Sequence, residues 1–479
     1  MRSPGTDIYR FGPFQLDSGR RRLLRGGDPV PLPDRHLEIL LQLAANAGRT
    51  ISKDDLIAAA WQDVAVADNS IEQAISSLRK MLGTQRDGGA YIETLTRRGY
   101  RFNAAVERGK PRESDASLDA LLAPYRAFVE GRAALETLDR DAVTRARAAF
   151  AEALRAEPDY AAAHVGMANA CALTFESTRA HPAPDVEALR QAVHHAREGC
   201  RLDPSSGDVW STLAFVLHRS GSAAEAIAAA RKAVTLDAGN WHHHLRLAFV
   251  SWGEERLRAA HRVLALCPGL ALGYWFAATV LVARQAFDTA LEALRSGCAS
   301  QDAQRTERGR FRAVGLHLLY GLVLAARGDE EGGLEEFARE LEFEGEGQLY
   351  ARECSANTWY AIGAIHLRNA RHADADAAFR EALTRVPGHP LAAALVGADV
   401  SGGKSRLAGM NNVDLAMANA AALVLDGKHD LAARICGEAL AHAEPGPAGW
   451  ILPVDPMLSP LRHPDAWART LAMLRDRAA

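Results

Sequence analysis

Small polar and basic side chains recur at helical spacing in a short stretch near the N-terminus. Ser70, Gln73, Ser77 and Lys80 are separated by three, four and three residues, with Arg79 beside them. This spacing places them on one face of a helix. Short hydroxyl and amide groups next to basic side chains can hydrogen-bond to base edges and phosphates, so this face suits the major groove of DNA. The alternative is an ordinary solvated helix face.

The opposite face of the same stretch is apolar. Ile71, Ile75, Leu78 and Leu82 are four, three and four residues apart, which is the pattern of a helix packed on a core. Asp68, just before this run, offers an N-cap oxygen. The stretch is therefore predicted to be an amphipathic helix with its polar face outward.

A β-hairpin is predicted directly after this helix, in the sequence YIETLTRRGYRF at residues 91–102. Tyr100 and Phe102 alternate as inward residues of its second strand, and residues with high β-propensity precede the turn. The turn itself contains Arg97 and Arg98. A polar helix followed by a basic hairpin tip is the arrangement in which a helix reads bases and a wing contacts phosphates or the minor groove.

These pieces closely resemble the winged helix-turn-helix effector domains of OmpR-type transcriptional regulators. The resemblance is to the branch without a receiver domain, the ToxR, CadC and HilA sort. It covers roughly residues 6–106. The matching pieces are FGPFQLD and PLPDRHLEILLQLAANAG for the leading strands and first helix, ISKDDLIAAAW for the second helix, DNSIEQAISSLRKMLG for the recognition helix and YIETLTRRGYRF for the wing.

The resemblance implies a set of DNA-contacting residues. They are expected to be Asn69, Ser70, Gln73, Ala74, Ser77, Arg79, Lys80, Arg97 and Arg98. Members of this family often carry Arg or His where this chain has Ala74, Ser76 and Ser77, so direct base readout should be weaker and DNA shape more important. Arg79 has two open roles, a phosphate contact or a core salt bridge. The family also binds direct-repeat half-sites in pairs, which implies a homodimer on DNA.

The chain is too long for one such domain. Residues 1–106 are predicted to be the winged helix and 107–118, charged and without apolar periodicity, a flexible linker. Residues 119–479 are predicted to be an all-α body. The fold class is therefore multidomain: a small α+β winged helix followed by an all-α superhelix of tetratricopeptide (TPR) repeats.

The repeats are read from a period near 34 residues. In the unit 207–238, Ala214, Ala226 and Ala233 occupy the small-residue positions, and the unit 356–387 repeats the pattern. We count about eight such units, and the C-terminal segment DPMLSPLRHPDAWARTLAMLRD resembles the closing cap of a TPR array. Stacked repeats create a groove, in which a protein, a peptide or a small ligand is expected to bind.

The formal net charge of −3 hides an asymmetry along the chain. Up to Val106 there are 15 Lys and Arg against 12 Asp and Glu. The totals are 56 and 59, so the rest of the chain has 41 against 47. A mildly basic head on an acidic body favours DNA contact confined to the head.

The remaining composition indicates a cytoplasmic protein without membrane contact. The six cysteines form no CxxC pair, which is typical of reduced, mostly buried thiols. The N-terminus runs straight into FGPFQLD without a signal peptide. The uncharged run of residues 263–283 is broken by Pro268 and Gly269, and the part from 268 to 283 is shorter than the ~20 apolar residues that a membrane helix needs.

The histidine run at 242–244 does not predict a metal site. Consecutive side chains on a helix point about 100° apart, so they cannot converge on one ion. A pair of His242 with Glu254 or His261 is the less favoured alternative, and the same argument applies to the pair 194–195.

No sequence pattern of an enzyme is found. HExxH, GxxxxGK[ST] and GxSxG do not occur, so we predict no catalytic activity, no cofactor and no metal. The head is N-terminal and no αβ alternation follows it, so a receiver domain and a phosphorylated aspartate are not expected in this chain.

The sequence thus favours a DNA-binding transcriptional regulator with a signal-sensing or protein-binding TPR body. The alternative is a TPR adaptor whose degenerate winged helix makes protein contacts. Salt-sensitive DNA binding distinguishes the two.

Overall fold

The computed structural model describes residues 8–479 with a few gaps. The gaps are residues 20 and 97 and the ranges 62–67, 86–87, 110–117, 137–139, 181–182, 307–312, 347–348 and 397–411. The chain divides into two compact units. The first comprises Met1–Thr174 and Glu187–Arg246, and the second Phe175–Val186 and Leu247–Ala479. No helix among the described residues is long and apolar enough to cross a membrane.

The N-terminal head contains two antiparallel sheets. The strands are β1 Ile8–Phe11, β2 Phe14–Asp17, β3 Arg22–Arg25, β4 Asp28–Val30, β5 Thr50–Ile51, β6 Ile92–Leu95, β7 Gly99–Phe102 and β8 Glu107–Gly109. One sheet has the order β4-β3-β2-β1-β8 and the other β5-β7-β6. The predicted leading strands and the predicted wing hairpin are confirmed.

Strand β8 corrects the predicted linker. Residues 107–109 were expected to be flexible, but Tyr9 pairs with Arg108 and Ile8 with Gly109 at the edge of the first sheet. An edge strand takes its stability from backbone pairing and tolerates charged residues, so it needs no apolar pattern. Residues 110–117 of the predicted linker lie outside the described part of the chain.

Three helices complete the head: α1 Asp34–Ala45, α2 Lys53–Trp61 and α3 Asp68–Leu82. The Asp55 backbone N–H donates to Ser52 Oγ at 3.1 Å, which caps the start of α2. Phe11 and Phe102 meet edge to face with ring centroids 4.9 Å apart. The buried cluster to which they belong draws its members from residues 9–104, so the head has a core of its own.

All the regular secondary structure described in the body is helical. Its first helices are α4 Leu118–Glu136, α5 Arg140–Ala156, α6 Ala161–Thr178, α7 Val186–Leu202, α8 Gly207–Arg219, α9 Ala223–Leu236, α10 Trp241–Val250 and α11 Gly253–Leu266. They are followed by α12 Ala271–Ala283, α13 Phe287–Thr306, α14 Leu316–Ala326, α15 Glu330–Leu341, α16 Ala351–Arg368, α17 His372–Arg385, α18 Pro390–Leu395, α19 Asn412–Leu425, α20 His429–His442 and α21 Pro464–Arg477. Apart from the short α18 and the final α21, these helices follow one another as pairs, in agreement with the predicted repeats.

A glycine-to-phenylalanine contact recurs within the pairs. A Cβ placed on Gly363 would lie 2.6 Å from the ring of Phe379, and one on Gly321 would lie 2.6 Å from the ring of Phe337. In both pairs the glycine lies on the first helix and the aromatic ring on the second. The missing side chain lets the ring approach the helix backbone, which is the close packing expected of TPR positions.

The head packs with the first helices of the body, and the domain boundaries at 106 and 118 stay predictions. The first unit contains the head together with α4, α5, α8 and α9. Tyr160 lies near Asp34 and Arg21 of the head, and burial raises its pKa well above the ordinary value. The head and the first repeats therefore form one compact body.

In the second unit, residues 443–463 run back along the first helices of the repeats. Trp450 meets Trp275 of α12 with centroids 6.0 Å apart, and the Tyr360 hydroxyl of α16 donates to Asp455 at 3.0 Å. Helix α21 then packs on α20 through the Thr470 hydroxyl, which donates to the Ala433 carbonyl at 2.9 Å. Helix α21 thus packs on the last repeat as the predicted cap should, whereas the start of the predicted closing segment, residues 455–463, lies along earlier repeats.

Candidate nucleic-acid interface

Helix α3 divides into a buried and an exposed face as its sequence predicts. Ile71, Ile75 and Leu78 are at most 1% exposed, because they pack into the head core. Gln73 and Ser77 lie on the exposed side. The exposed side also carries Glu72, Ser76 and Lys80.

Ala74 does not belong to this exposed face. Its side chain is 3% exposed and is part of the head core. It lies three residues after Ile71 and four before Leu78, so helical geometry turns it inward. We therefore remove Ala74 from the predicted interface.

Arg79 connects the helix to the wing. Its Nε donates to the Ile92 carbonyl at 3.0 Å and its Nη2 to the Thr94 hydroxyl at 2.6 Å. Of the two roles predicted for Arg79, no salt bridge is formed with a residue that the structure describes, and the phosphate contact stays a prediction. Arg79 instead holds β6 against α3, which fixes the position of the wing relative to the recognition helix.

The wing turn depends on Gly99, which has a φ of +117°. A Cβ at this residue would lie 2.0 Å from the Ile51 carbonyl oxygen, so only glycine allows β7 to pass β5 so closely. The Arg98 backbone N–H donates to the Leu95 carbonyl at 2.9 Å and closes the turn. The Arg98 side chain is exposed.

The base of the wing carries a polar cluster. Glu93 accepts hydrogen bonds from Asn103 at 3.0 Å and from Arg101 at 2.6 Å. These hydrogen bonds, from Asn103 and then Arg101, lower the pKa of Glu93 below its ordinary value. The carboxylate of Glu93 is therefore hydrogen-bonded within the wing strands, and the exposed Arg98 leaves the tip of the wing cationic.

Two predicted contacts cannot be placed. Arg97 and the side chain of Asn69 lie outside the described part of the structure, and Ser70 is half-buried in the first turn of α3.

The exposed face of α3 also contacts the body, at the turn between α9 and α10. A Cβ on Gly239 would lie 2.0 Å from Gln73 Oε1, so the amide sits directly on this turn. Three residues along the chain, His242 Nδ1 accepts a hydrogen bond from Arg35 of α1 at 2.7 Å. Sequence reasoning missed this contact, because nothing in the local pattern links residues 73 and 239.

The neighbouring histidines of this turn have separate partners. His243 Nε2 lies 3.1 Å from Asn240 Nδ2, and His244 Nε2 lies 3.0 Å from the Ala238 carbonyl. The three side chains do not converge, as the helical geometry predicts.

Comparison with known proteins agrees with this geometry. Residues 27–102 match the family model described as "Transcriptional regulatory protein, C terminal". The head is a domain of this family. Its match includes α1, α2, α3 and the wing, which are the elements that make up the candidate interface.

Curated relatives match about a quarter of this chain or less. The chain is 36% identical over 122 residues to a cholera toxin homolog transcriptional activator of Vibrio parahaemolyticus, covering 24% of this chain and 42% of that protein. It is 30% identical over 100 residues to the transcriptional activator CadC of Escherichia coli, covering 21% and 20%. The chain thus spans less than half the length of these relatives.

Among solved structures, the chain is similar to the DNA-binding domain of Escherichia coli CadC. The identity is 29%, the match covers 22% of this chain and 98% of that domain, and the TM-score is 0.20.

Proposed function

We propose that this protein is a transcriptional regulator that binds promoter DNA through its winged-helix head, under the control of its TPR body. The observation that carries the proposal is the exposed face of α3, with Gln73, Ser77 and Lys80, next to a wing tip with exposed Arg98. The family match at residues 27–102 supports the same function.

In this proposal α3 enters the major groove and the wing contacts the backbone or the minor groove. Gln73 is the side chain best suited to a base edge, since its amide can both donate and accept. Lys80 and Arg98 supply charge for phosphates. With few long donors on α3, a large share of selectivity should come from DNA shape.

The body contact supports control of this binding. The α9–α10 turn occupies the Gln73 amide, so DNA and the body compete for the same side chain. A signal that separates the turn from α3 would increase the population able to bind DNA. We propose that this signal is a protein, a peptide or a small ligand that binds to the TPR body.

Two further parts of the proposal follow from the family. Paired winged helices on a direct repeat would make the protein a homodimer on DNA. Promoter binding would also place it in the cytoplasm, where a bacterial chromosome lies.

The test is selection of duplexes from a random-sequence library with the full chain, followed by sequencing and fluorescence anisotropy. The expected result is enrichment of one motif, arranged as a direct repeat. No enrichment, together with DNA affinity that does not respond to salt, would contradict the proposal and favour a protein-binding adaptor.

A further inference from the structure

Three buried side chains with metal-ligating atoms meet in the second unit. Cys298 of α13, His317 of α14 and Glu336 of α15 are 6%, 0% and 8% exposed. One ligand atom from each lies within 4.8 Å of the other two. Sequence reasoning found no metal motif here, because the three residues lie on three different helices.

A fourth side chain orients the histidine. His317 Nδ1 faces Glu336 Oε2 at 2.5 Å, and His317 Nε2 faces Asp302 Oδ1 at 3.1 Å. Asp302 lies one turn after Cys298 on α13, so both are on the same face of that helix. A carboxylate that accepts from the outer ring nitrogen is the usual partner of a metal-bound histidine.

The polar groups around this cluster have other hydrogen-bond partners, so the cluster itself is available to bind an ion. Glu340 already accepts from the Gly315 and Leu318 backbone N–H groups at 2.7 and 3.2 Å, so it holds the start of α14. Arg339 donates to Glu336 Oε1 at 3.1 Å, which leaves Oε2 directed at the histidine. The side chains of Asp302 and Arg339 are 56% and 57% exposed, so an ion has a short path from solvent.

We propose that Cys298 Sγ, His317 Nδ1 and Glu336 Oε2 bind one zinc ion, with Asp302 as the positioning residue on His317. Thiolate, imidazole and carboxylate together form a ligand set that suits Zn²⁺, and water completes the tetrahedron. The thiol and the imidazole Nδ1 release their protons when the ion binds. The ion would tie α13, α14 and α15 together, which makes the second unit responsive to zinc. This site is independent of the DNA-binding proposal.

The test is a cobalt titration of the full chain under reducing conditions, followed by zinc competition. Tetrahedral Co²⁺ with a thiolate ligand gives a sulfur-to-metal charge-transfer band. We expect this band to saturate at about one ion per chain and to disappear when Zn²⁺ displaces Co²⁺. Asp302→Asn should keep the band and weaken zinc affinity by roughly 10–100-fold.

The controls separate this cluster from other thiols and histidines. Cys298→Ser should remove the charge-transfer band. Cys267→Ser, which alters another buried cysteine of the same unit, should leave it unchanged. The proposal is overturned if the wild-type chain gives no saturable band, or if binding survives both Cys298→Ser and His317→Gln. Asp302→Asn, at an exposed position, keeps the test valid should the buried variants misfold.

Discussion

Arg98 stands at the tip of the wing, and no side-chain hydrogen bond or ion pair joins it to another residue that the structure describes. Arg79 in contrast is held by the Ile92 carbonyl and the Thr94 hydroxyl. The two arginines therefore have different roles. Arg98 is free to meet a phosphate, and Arg79 sets the geometry of the wing.

Charge reversal at Arg98 tests the first role. Arg98→Glu should reduce DNA affinity at least about tenfold and lower the salt slope by about one, because a phosphate contact becomes a repulsion. Anisotropy at several salt concentrations measures both quantities. Arg22→Glu makes the same change of charge on strand β3, and its effect should be much smaller. Equal effects of the two substitutions would show that only overall charge matters.

The backbone at Gly99 provides a second residue-scale test. Gly99→Ala should destabilise the head by about 1–3 kcal/mol or more, because a positive φ is combined with a clash against the Ile51 carbonyl. Gly27→Ala is the matched control: its φ is +104°, but nothing lies within 4 Å of the added Cβ. Chemical unfolding of residues 1–109 compares the two. If Gly99→Ala lowers the free energy of unfolding no more than Gly27→Ala does, strands β5 and β7 can move apart without an energetic penalty.

Among the elements, the α9–α10 turn lies against Gln73 of α3, and its proposed control of DNA binding can be tested at Gly239. Gly239→Asp places a Cβ and a carboxylate against Gln73 and should separate the turn from α3. Apparent DNA affinity of the full chain should then rise, on the order of threefold to tenfold, because more molecules are competent to bind. Anisotropy with a selected duplex measures this.

The corresponding turn between α11 and α12 gives the control. Gly269 has no atom within 4 Å of its added Cβ, so Gly269→Asp makes the same chemical change at a position with open space. Its DNA affinity should equal that of the wild type. An unchanged or weaker affinity for Gly239→Asp would contradict control by this turn.

The segment on α16 should respond to pH. Burial raises the pKa of Asp455 from 3.8 to about 6, although hydrogen bonds from Leu458, Tyr360 and Met457 oppose the shift. Because the folded pKa is the higher one, this group stabilises the fold below about pH 4, and the stabilisation is lost as pH rises through about 6. The change should be on the order of 2–3 kcal/mol.

The measurement is thermal unfolding of the wild type and Asp455→Asn between pH 4 and 7. The difference in melting temperature between the wild type and Asp455→Asn should change across this pH range. Asp430→Asn alters an exposed carboxylate on α20, so its melting temperature should vary with pH as that of the wild type does. Parallel curves for wild type and Asp455→Asn would show that the carboxyl group keeps its ordinary pKa when folded.

On the scale of the whole molecule, the features that the sequence predicts correctly are those that depend on the periodicity of residues within one element. The two faces of α3, the wing hairpin and the paired helices all follow from apolar spacing within one element. Strand β8 could not be predicted from its sequence, because an edge strand is held by backbone pairing and needs no apolar pattern. The buried position of Ala74 could have been read from its spacing to Ile71 and Leu78, since the same periodicity places it on the apolar face.

Contacts between distant residues could not be predicted in the same way. Gln73 and Gly239 meet only because the head and the first repeats pack into one unit, and neither local pattern records the other. The same holds for Trp450 on Trp275. The first of these contacts covers a side chain that the family resemblance assigns to DNA.

DNA recognition and its control by the body are tested most directly by the DNA affinities of the full chain and of residues 1–109, measured by anisotropy at two salt concentrations with a selected and a scrambled duplex. We expect both to bind the selected duplex preferentially and more weakly at higher salt, and the head alone to bind more tightly than the full chain. Failure of both to prefer the selected duplex would contradict DNA recognition. Equal affinities of the head and the full chain would contradict control by the body.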